Sequence, residues 1–440
     1  MSAQTLQEKR FESFIHPQIP FAWVSPEAQC EYEKRATRLR DAILLRGTPD
    51  RVPACAFAQF YPAHQAGFTP YDVMYDKGKA AEAWISCARA LQPDAVVGPA
   101  IAAAAAGSIL DLLDFKLFSW PGHGVAETAS FQYIEKEWMR PEEYDELIDD
   151  PTGYLLGTYL PRTNGALAGL AAFLPPLDMT QLAGAGFWVA QWGDPGLAQS
   201  VSRLLEAGKQ AADWARFIVE VDLRLIAEGF PPHLGLVTWA PFDFLGDTLR
   251  GTRGIVTDLY RRPEKVLEAC ERILQVLLRT TLRKASPHVP PLVFIPLHKG
   301  ADGFMSKEQF RTFYWPTLKQ LCLGLIDQGL VPYLFAEGSY NSRLDIIRDL
   351  PAGCTVWHFD QTDMRQAREA LDGIACIAGN VPLSLLQLGT PTEVTEYCRQ
   401  LIQAVKGNGG FILDMGAGAD SGPLENFKAM IDAAKRFGAY

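Results

Sequence analysis

The sequence predicts an α/β chain folded as a (β/α)8 (TIM) barrel over residues 46–440, preceded by a helical extension over 1–45 and interrupted by an insertion at about 115–195. Two observations carry this. Eight short apolar or β-branched runs recur, at 54–60, 94–98, 234–239, 292–297, 331–336, 355–359, 374–379 and 411–415. Longer segments of helical periodicity separate them. Near-continuous apolar strands alternating with helices imply a parallel sheet buried on both faces, and eight such units suit a closed barrel better than an open doubly wound sheet.

Taken in order, residues 27–45 are charged and amphipathic and precede the first strand, so they read as a helix of the extension. The stretch from about 115 to 195 departs from the strand-helix rhythm. It holds Trp120-Pro-Gly-His-Gly124, an alternating Phe131-Gln-Tyr-Ile-Glu135 and clusters of Gly and Pro, and it reads as a short hairpin with loops over one mouth of the barrel. Helix starts are written plainly further on: Thr390-Pro391-Thr392-Glu393 offers a capping Thr, a Pro at the first helical position and a Glu placed for a capping box, and Ser306-Lys-Glu-Gln309 repeats that logic. The last helix is entered through Gly422-Pro423 and runs from Leu424 to Phe437, with Gly438 ending it. The alanines at 102–106 are the one low-complexity tract.

The chain has 440 residues, 48% hydrophobic and 21% charged, a composition able to build a large core and unlike that of disordered, collagenous or coiled-coil chains. Lys and Arg number 41 against 51 Asp and Glu, giving a net charge of −10 without a basic run, which argues against nucleic acid as a partner. Met1 to Arg10 lacks the apolar stretch of a secretory signal, and the most apolar run, 99–110, falls short of the ~20 residues that cross a bilayer. Eight cysteines without a CxxC pair read as reduced, mostly buried thiols of a cytoplasmic protein. Cys322 falls inside a helix among leucines, and Cys354 precedes its strand at the end of a barrel away from chemistry.

In the C-terminal third, Pro296-Leu-His-Lys-Gly-Ala-Asp-Gly-Phe-Met-Ser306, Phe310-Arg-Thr-Phe-Tyr-Trp-Pro316, Gly379-Asn-Val-Pro382, Gly409-Gly-Phe-Ile-Leu413 and Pro423-Leu-Glu-Asn-Phe-Lys-Ala-Met430 follow in order. With Asp50-Arg-Val-Pro53 and Glu142-Glu-Tyr-Asp-Glu-Leu-Ile-Asp-Asp-Pro151, they resemble the uroporphyrinogen decarboxylase superfamily over roughly residues 45–440. The resemblance implies a (β/α)8 barrel and one of two activities: decarboxylation of a porphyrinogen, or zinc- and corrinoid-dependent methyl transfer. The decarboxylase pattern carries an Arg-rich segment after the first strand, whereas here Phe60-Tyr-Pro-Ala-His-Gln-Ala-Gly67 has no Arg, and bidentate Arg pairing is the natural way to orient several carboxylates. The thiol-accepting methyltransferases carry a His-x-Cys pair and a later Cys for zinc, where this chain has Phe335-Ala-Glu337 and Asp414-Met-Gly-Ala417. The Glu-x20-His spacing from Glu337 to His358 instead resembles the zinc site of corrinoid O-demethylase methyltransferases.

Residue position supports the same region. Glu337, His358 and His298 fall at or near the C-terminal ends of successive strands, where barrel enzymes place chemistry, and a carboxylate with two imidazoles makes an N/O zinc site with an open position. The alternative for Glu337 and His358 is a pair that merely ties two strands. Asp414, Asp360 and His123 are the candidate catalytic carboxylates and loop imidazole, while Phe60, Tyr61, Asp247, Phe335, Tyr340 and Trp357 are candidates to line a substrate pocket. Asp243 and Asp247 are expected to form an ion pair with Arg250 near the mouth. The leading expectation is a zinc-dependent methyltransferase passing a methyl group from a small, methoxylated aromatic substrate to the cob(I)alamin of a partner corrinoid protein, because the chain has no Asp-x-His-x-x-Gly cobalamin motif of its own. The alternatives are a metal-free decarboxylase and a non-catalytic, ligand-binding barrel.

Overall fold

A computed structural model of the chain describes residues 3–17, 21–100, 106–286 and 289–440. Most of the alanine run at 102–106 therefore lies outside the described residues. Among these, eight strands follow the eight apolar runs: β1 (Cys55–Ala56), β2 (Ala95–Val96), β3 (Leu236–Val237), β4 (Leu292–Leu297), β5 (Val331–Ala336), β6 (Val356–Phe359), β7 (Cys376–Val381) and β8 (Phe411–Met415). Strands β3 to β8 form a six-stranded parallel sheet in sequence order, and β1 and β2 pair in parallel as a separate two-stranded sheet. The fold is thus mixed α/β with parallel sheets.

Single bridges link the two sheets at both edges. Ala54 bridges Leu413 of β8, whose N–H donates to Pro53 O at 2.9 Å. On the other side Val96 bridges Pro232, with the Val96 N–H on Pro231 O at 3.0 Å and the His233 N–H on Val96 O at 2.8 Å. The first three strands are far shorter than their apolar runs. Strands β4, β5 and β8 keep the full length of their runs, and the residues of β4 and β5 are apolar on both faces.

The extension forms two helices, Ala3–Ile15 and Pro26–Leu44. Ser25 caps the second by accepting from the Ala28 N–H, with Pro26 at its first position. Arg38 of this helix joins Asp50 and the buried Asp94 at 2.6 Å each, and Arg51 joins the same Asp94 at 2.7 Å, so three segments converge before β1 and β2. The helix starts expected at Ser306 and Thr390 are present with their capping boxes, and Leu424–Phe437 ends at Gly438.

Between β2 and β3 the chain departs from the repeat. A small sheet holds Phe118–Pro121, Gly124–Val125 and Gln132–Tyr133, with Phe118 paired to Tyr133 in antiparallel register. Short helical turns follow, then a 33-residue helix, Pro195–Ala227, capped by Asp194. Among the described residues no helix is long and apolar enough to cross a membrane.

Candidate functional site

A charged cluster stands at the C-terminal end of β4, where the loop residues His298 and Lys299 follow Leu297. Asp243 and Asp247 lie four residues apart on the helical turn after β3, so both carboxylates face this loop. Asp243 is buried and organises the backbone: it accepts from the N–H groups of His298 and Lys299 at 3.0 Å each and from the Tyr314 hydroxyl at 2.6 Å. Burial, followed by the charge of Asp247, raises its carboxyl above the ordinary carboxylate range.

Asp247 holds side chains instead. Its Oδ2 lies 2.6 Å from His298 Nδ1 and its Oδ1 2.8 Å from Lys299 Nζ. His298 then turns Nε2 toward Glu337 at the end of β5, with Oε1 at 3.6 Å. Burial disfavours the charged ring, but the bonds to Asp247 and Glu337 outweigh it and carry His298 up to about 11. The Tyr133 hydroxyl of the inserted sheet donates to the Asp247 carbonyl, which brings the insertion against this cluster. Arg250 takes no part in it: its guanidinium donates to Asp258 at 2.6 Å, four positions along the helix from Gly254, so the expected pairing of Asp243 and Asp247 with Arg250 gives way to pairing with His298 and Lys299.

The donor chemistry of His298 and Glu337 suits a metal ion. A carboxylate on Nδ1–H fixes the tautomer and leaves Nε2 as the ligand atom, the usual support of a metal-bound histidine, and Nε2 faces a carboxylate that is half exposed. His358 is not brought to this pair. It is buried within β6, where Tyr333 Oη lies 2.6 Å from Nδ1 and Met415 O 2.6 Å from Nε2. A carbonyl only accepts, so Nε2–H donates to Met415 and Nδ1 accepts the Tyr333 hydroxyl. Burial holds the ring down to about 3, hence neutral.

The other expected site residues are dispersed. Asp360 accepts from the Gly338 N–H at 3.0 Å, and burial raises its carboxyl, with Glu337 adding to the shift. His123 stacks on Trp120 and meets Tyr75 Oη at 3.1 Å and Asp111 at 3.2 Å, none of them shared with the His298 cluster. Phe335 stacks on Phe57 at 4.7 Å. Tyr61 stacks on Phe427 at 3.9 Å, Phe60 meets Phe131, and Tyr340 packs on Phe310 while donating to Leu297 O. Trp357 alternates with His358 along β6 and packs on Trp315 of the covering helix. Each of these five rings is buried in packing.

A second polar group was not read from the sequence. Cys55 of β1, His233 before β3 and Asp414 of β8 are buried, with one donor atom from each lying within 4.8 Å of the others. Asp414 Oδ1 accepts from the N–H groups of Phe57 at 3.0 Å and Met415 at 2.8 Å, while Oδ2 has no partner, nor has either ring nitrogen of His233. This sulfur, nitrogen and oxygen set is compatible with zinc. The signal available in sequence was His233 itself, an isolated imidazole between Pro232 and an apolar strand.

Comparison with known proteins bears on the family and the fold. The sequence model of the uroporphyrinogen decarboxylase (URO-D) family matches residues 228–437. No curated protein matches the chain in sequence. Among solved structures, a methyltransferase from Methanosarcina mazei superposes with a TM-score of 0.57 at 15% identity, covering 91% of this chain and 98% of its own. The matched span begins before β3 and runs to the end of the last helix, so it contains the His298 cluster, Glu337, His358 and Asp414. The match over residues 228–437 accords with the resemblance that the motifs from Pro296 to Met430 carry.

Proposed function

We propose that the chain is a methyltransferase of the uroporphyrinogen decarboxylase superfamily that moves a methyl group from a small methoxylated aromatic compound to the cob(I)alamin of a separate corrinoid protein. In this reading β1 to β8 form one (β/α)8 barrel over residues 46–440, with 1–45 as its extension, and the reaction takes place at the C-terminal strand ends. The observation that carries the reading is the Asp247–His298–Glu337 alignment across the ends of β4 and β5. The structural likeness to a methyltransferase supports the fold, and the Arg-free segment after β1 disfavours a porphyrinogen tetracarboxylate.

His298 Nε2 and Glu337 would hold a zinc ion, which supplies Lewis acidity toward an ether oxygen when bound. The chain's own groups do the positioning. Asp243 clamps the backbone of His298 and Lys299, so the loop after β4 is preset. Asp247 orients the imidazole, and Lys299 keeps Asp247 in place through its ion pair and a bond to Thr252 Oγ1 at 2.7 Å. The half-exposed Trp239, beyond β3, offers an aromatic face for the substrate ring. In this reading the C–O bond would break with both electrons on the phenolic oxygen, and the methyl acceptor on the partner would supply the electron pair for the new bond to carbon.

The test is transfer from methoxybenzoates to reduced cobalamin, followed by the loss of the cob(I)alamin absorption. Turnover that depends on added zinc and on Glu337 supports the reading. Carbon dioxide release without any methyl transfer would replace it with the decarboxylase.

A further inference from the structure

We propose that Cys55, His233 and Asp414 form a structural metal site, separate from the strand-end cluster, that binds a zinc-class divalent ion and clasps the two-stranded sheet to the six-stranded one. Three independent features lead there. The donor atoms come from three distant parts of the chain yet lie within 4.8 Å of one another, and two donors at about 2.0–2.3 Å from a shared zinc ion are less than about 4.6 Å apart. Only a small side-chain adjustment separates the two arrangements.

The second feature is unmet bonding capacity. Both ring nitrogens of His233 and Asp414 Oδ2 are buried without a partner. Such groups are costly when left so, and an ion would satisfy one ring nitrogen of His233 and Asp414 Oδ2 together. Asp414 is already prepared for the role: its Oδ1 is fixed by the Phe57 and Met415 N–H groups, which leaves Oδ2 as the one free ligand atom. His233 is steadied by edge-on packing against Tyr333 at 5.0 Å, and the Tyr333 hydroxyl is spent on His358.

The third feature is placement. Cys55 sits on β1, Asp414 on β8 and His233 on the lead into β3, next to the two single bridges that join the sheets. Backbone pairing is sparsest at these two seams, so an ion held there adds a cross-link where the ladder is thin. It is also closed off from the strand ends. Phe57, two residues beyond Cys55 on the same face, stacks with Phe294 at 5.4 Å and Phe335 at 4.7 Å, forming an aromatic layer between the trio and the mouth. Binding exchanges the Cys55 thiol proton for the metal, with His233 entering as a neutral ligand.

The experiment strips the full-length protein with a chelator, reloads it with cobalt(II) and records the near-ultraviolet absorption. A thiolate-to-cobalt charge-transfer band is expected in the wild type, and its loss in Cys55→Ala. Asp414→Asn keeps the shape and the two backbone bonds of the carboxylate, and it should weaken cobalt retention by at least about tenfold. With the strand-end cluster disabled by Glu337→Gln, zinc should still raise the thermal midpoint, and it should leave that of the double variant Glu337→Gln with Cys55→Ala unmoved. Glu337→Gln, which touches only the strand-end cluster, should retain the band, so this site is read independently of methyl transfer. A wild type with no thiolate band and no zinc-dependent rise in midpoint overturns the proposal, as does a band that persists in Cys55→Ala.

Discussion

At the strand ends every charged group of the cluster has a partner: Asp243 accepts three hydrogen bonds, Asp247 holds His298 and Lys299, and His298 reaches Glu337. One layer deeper, Cys55, His233 and Asp414 are more buried and less satisfied. Burial alone would predict the reverse, because an unpaired polar group is costlier in the interior. The contrast teaches that the outer cluster is finished by the protein, with one imidazole nitrogen aimed at an open carboxylate, whereas the inner group is completed by something the polypeptide does not contain. The outer cluster can exchange ligands with solvent and substrate; the inner one sits behind Phe57, Phe294 and Phe335.

Four changes break or sharpen this contrast. The largest effect is expected from His298→Ala, which removes the nitrogen facing Glu337 and should lower methyl transfer by about a thousandfold while the protein still unfolds cooperatively. The rate of cob(I)alamin consumption and a urea titration check both halves. Next, His358→Ala strands the Tyr333 hydroxyl and the Met415 carbonyl and opens a cavity, so it should cost about 3 kcal/mol of stability; the urea titration should show this without any loss of metal from the strand ends.

Acid probes the buried layer. His233 is held down to about 4 and His358 to about 3, both by burial. The unfolded chain takes up protons near pH 6.5 that these two rings refuse when folded, so the two rings lower the stability of the metal-free protein as the pH drops from about 6.5 toward 4, against the opposite contribution of Asp222 and Asp414, whose carboxyls burial raises to about 7. Urea midpoints at successive pH values measure the slope, and His358→Gln should make it shallower. The smallest change is Asp247→Asn, which keeps the loop but weakens the hold on the His298 ring. A loss of about 10- to 100-fold in activity is expected, together with a fall in the imidazole pKa from its raised value, visible by proton NMR.

How much of this was legible beforehand depends on range. The eight apolar runs mark the eight strands because a strand buried on both faces must be apolar throughout, and the capping residues Thr390 and Ser306 act within one turn of their helices. The first three strands are shorter than their runs because composition marks which residues are buried, not where a partner strand lies alongside. His298 and Glu337 were readable from their positions after β4 and β5. His358 was not separable from them, because strand-end position fixes the level of a residue but not the partner its ring will find, here Tyr333 and Met415. Tyr61 and Trp357 looked like pocket aromatics for the same reason, yet each packs on a helix. The Cys55, His233 and Asp414 group joins residues from opposite ends of the chain without any spacing motif, and only three-dimensional proximity reveals it.

The most direct test of the account compares Glu337→Gln with Cys55→Ala in the transfer of methyl groups from methoxybenzoates to reduced cobalamin, with zinc content measured on the same samples. The account predicts that Glu337→Gln loses transfer and the strand-end zinc, and that Cys55→Ala keeps transfer per folded molecule while losing the buried ion. Transfer that survives in Glu337→Gln and disappears in Cys55→Ala would contradict it, placing the chemistry in the interior.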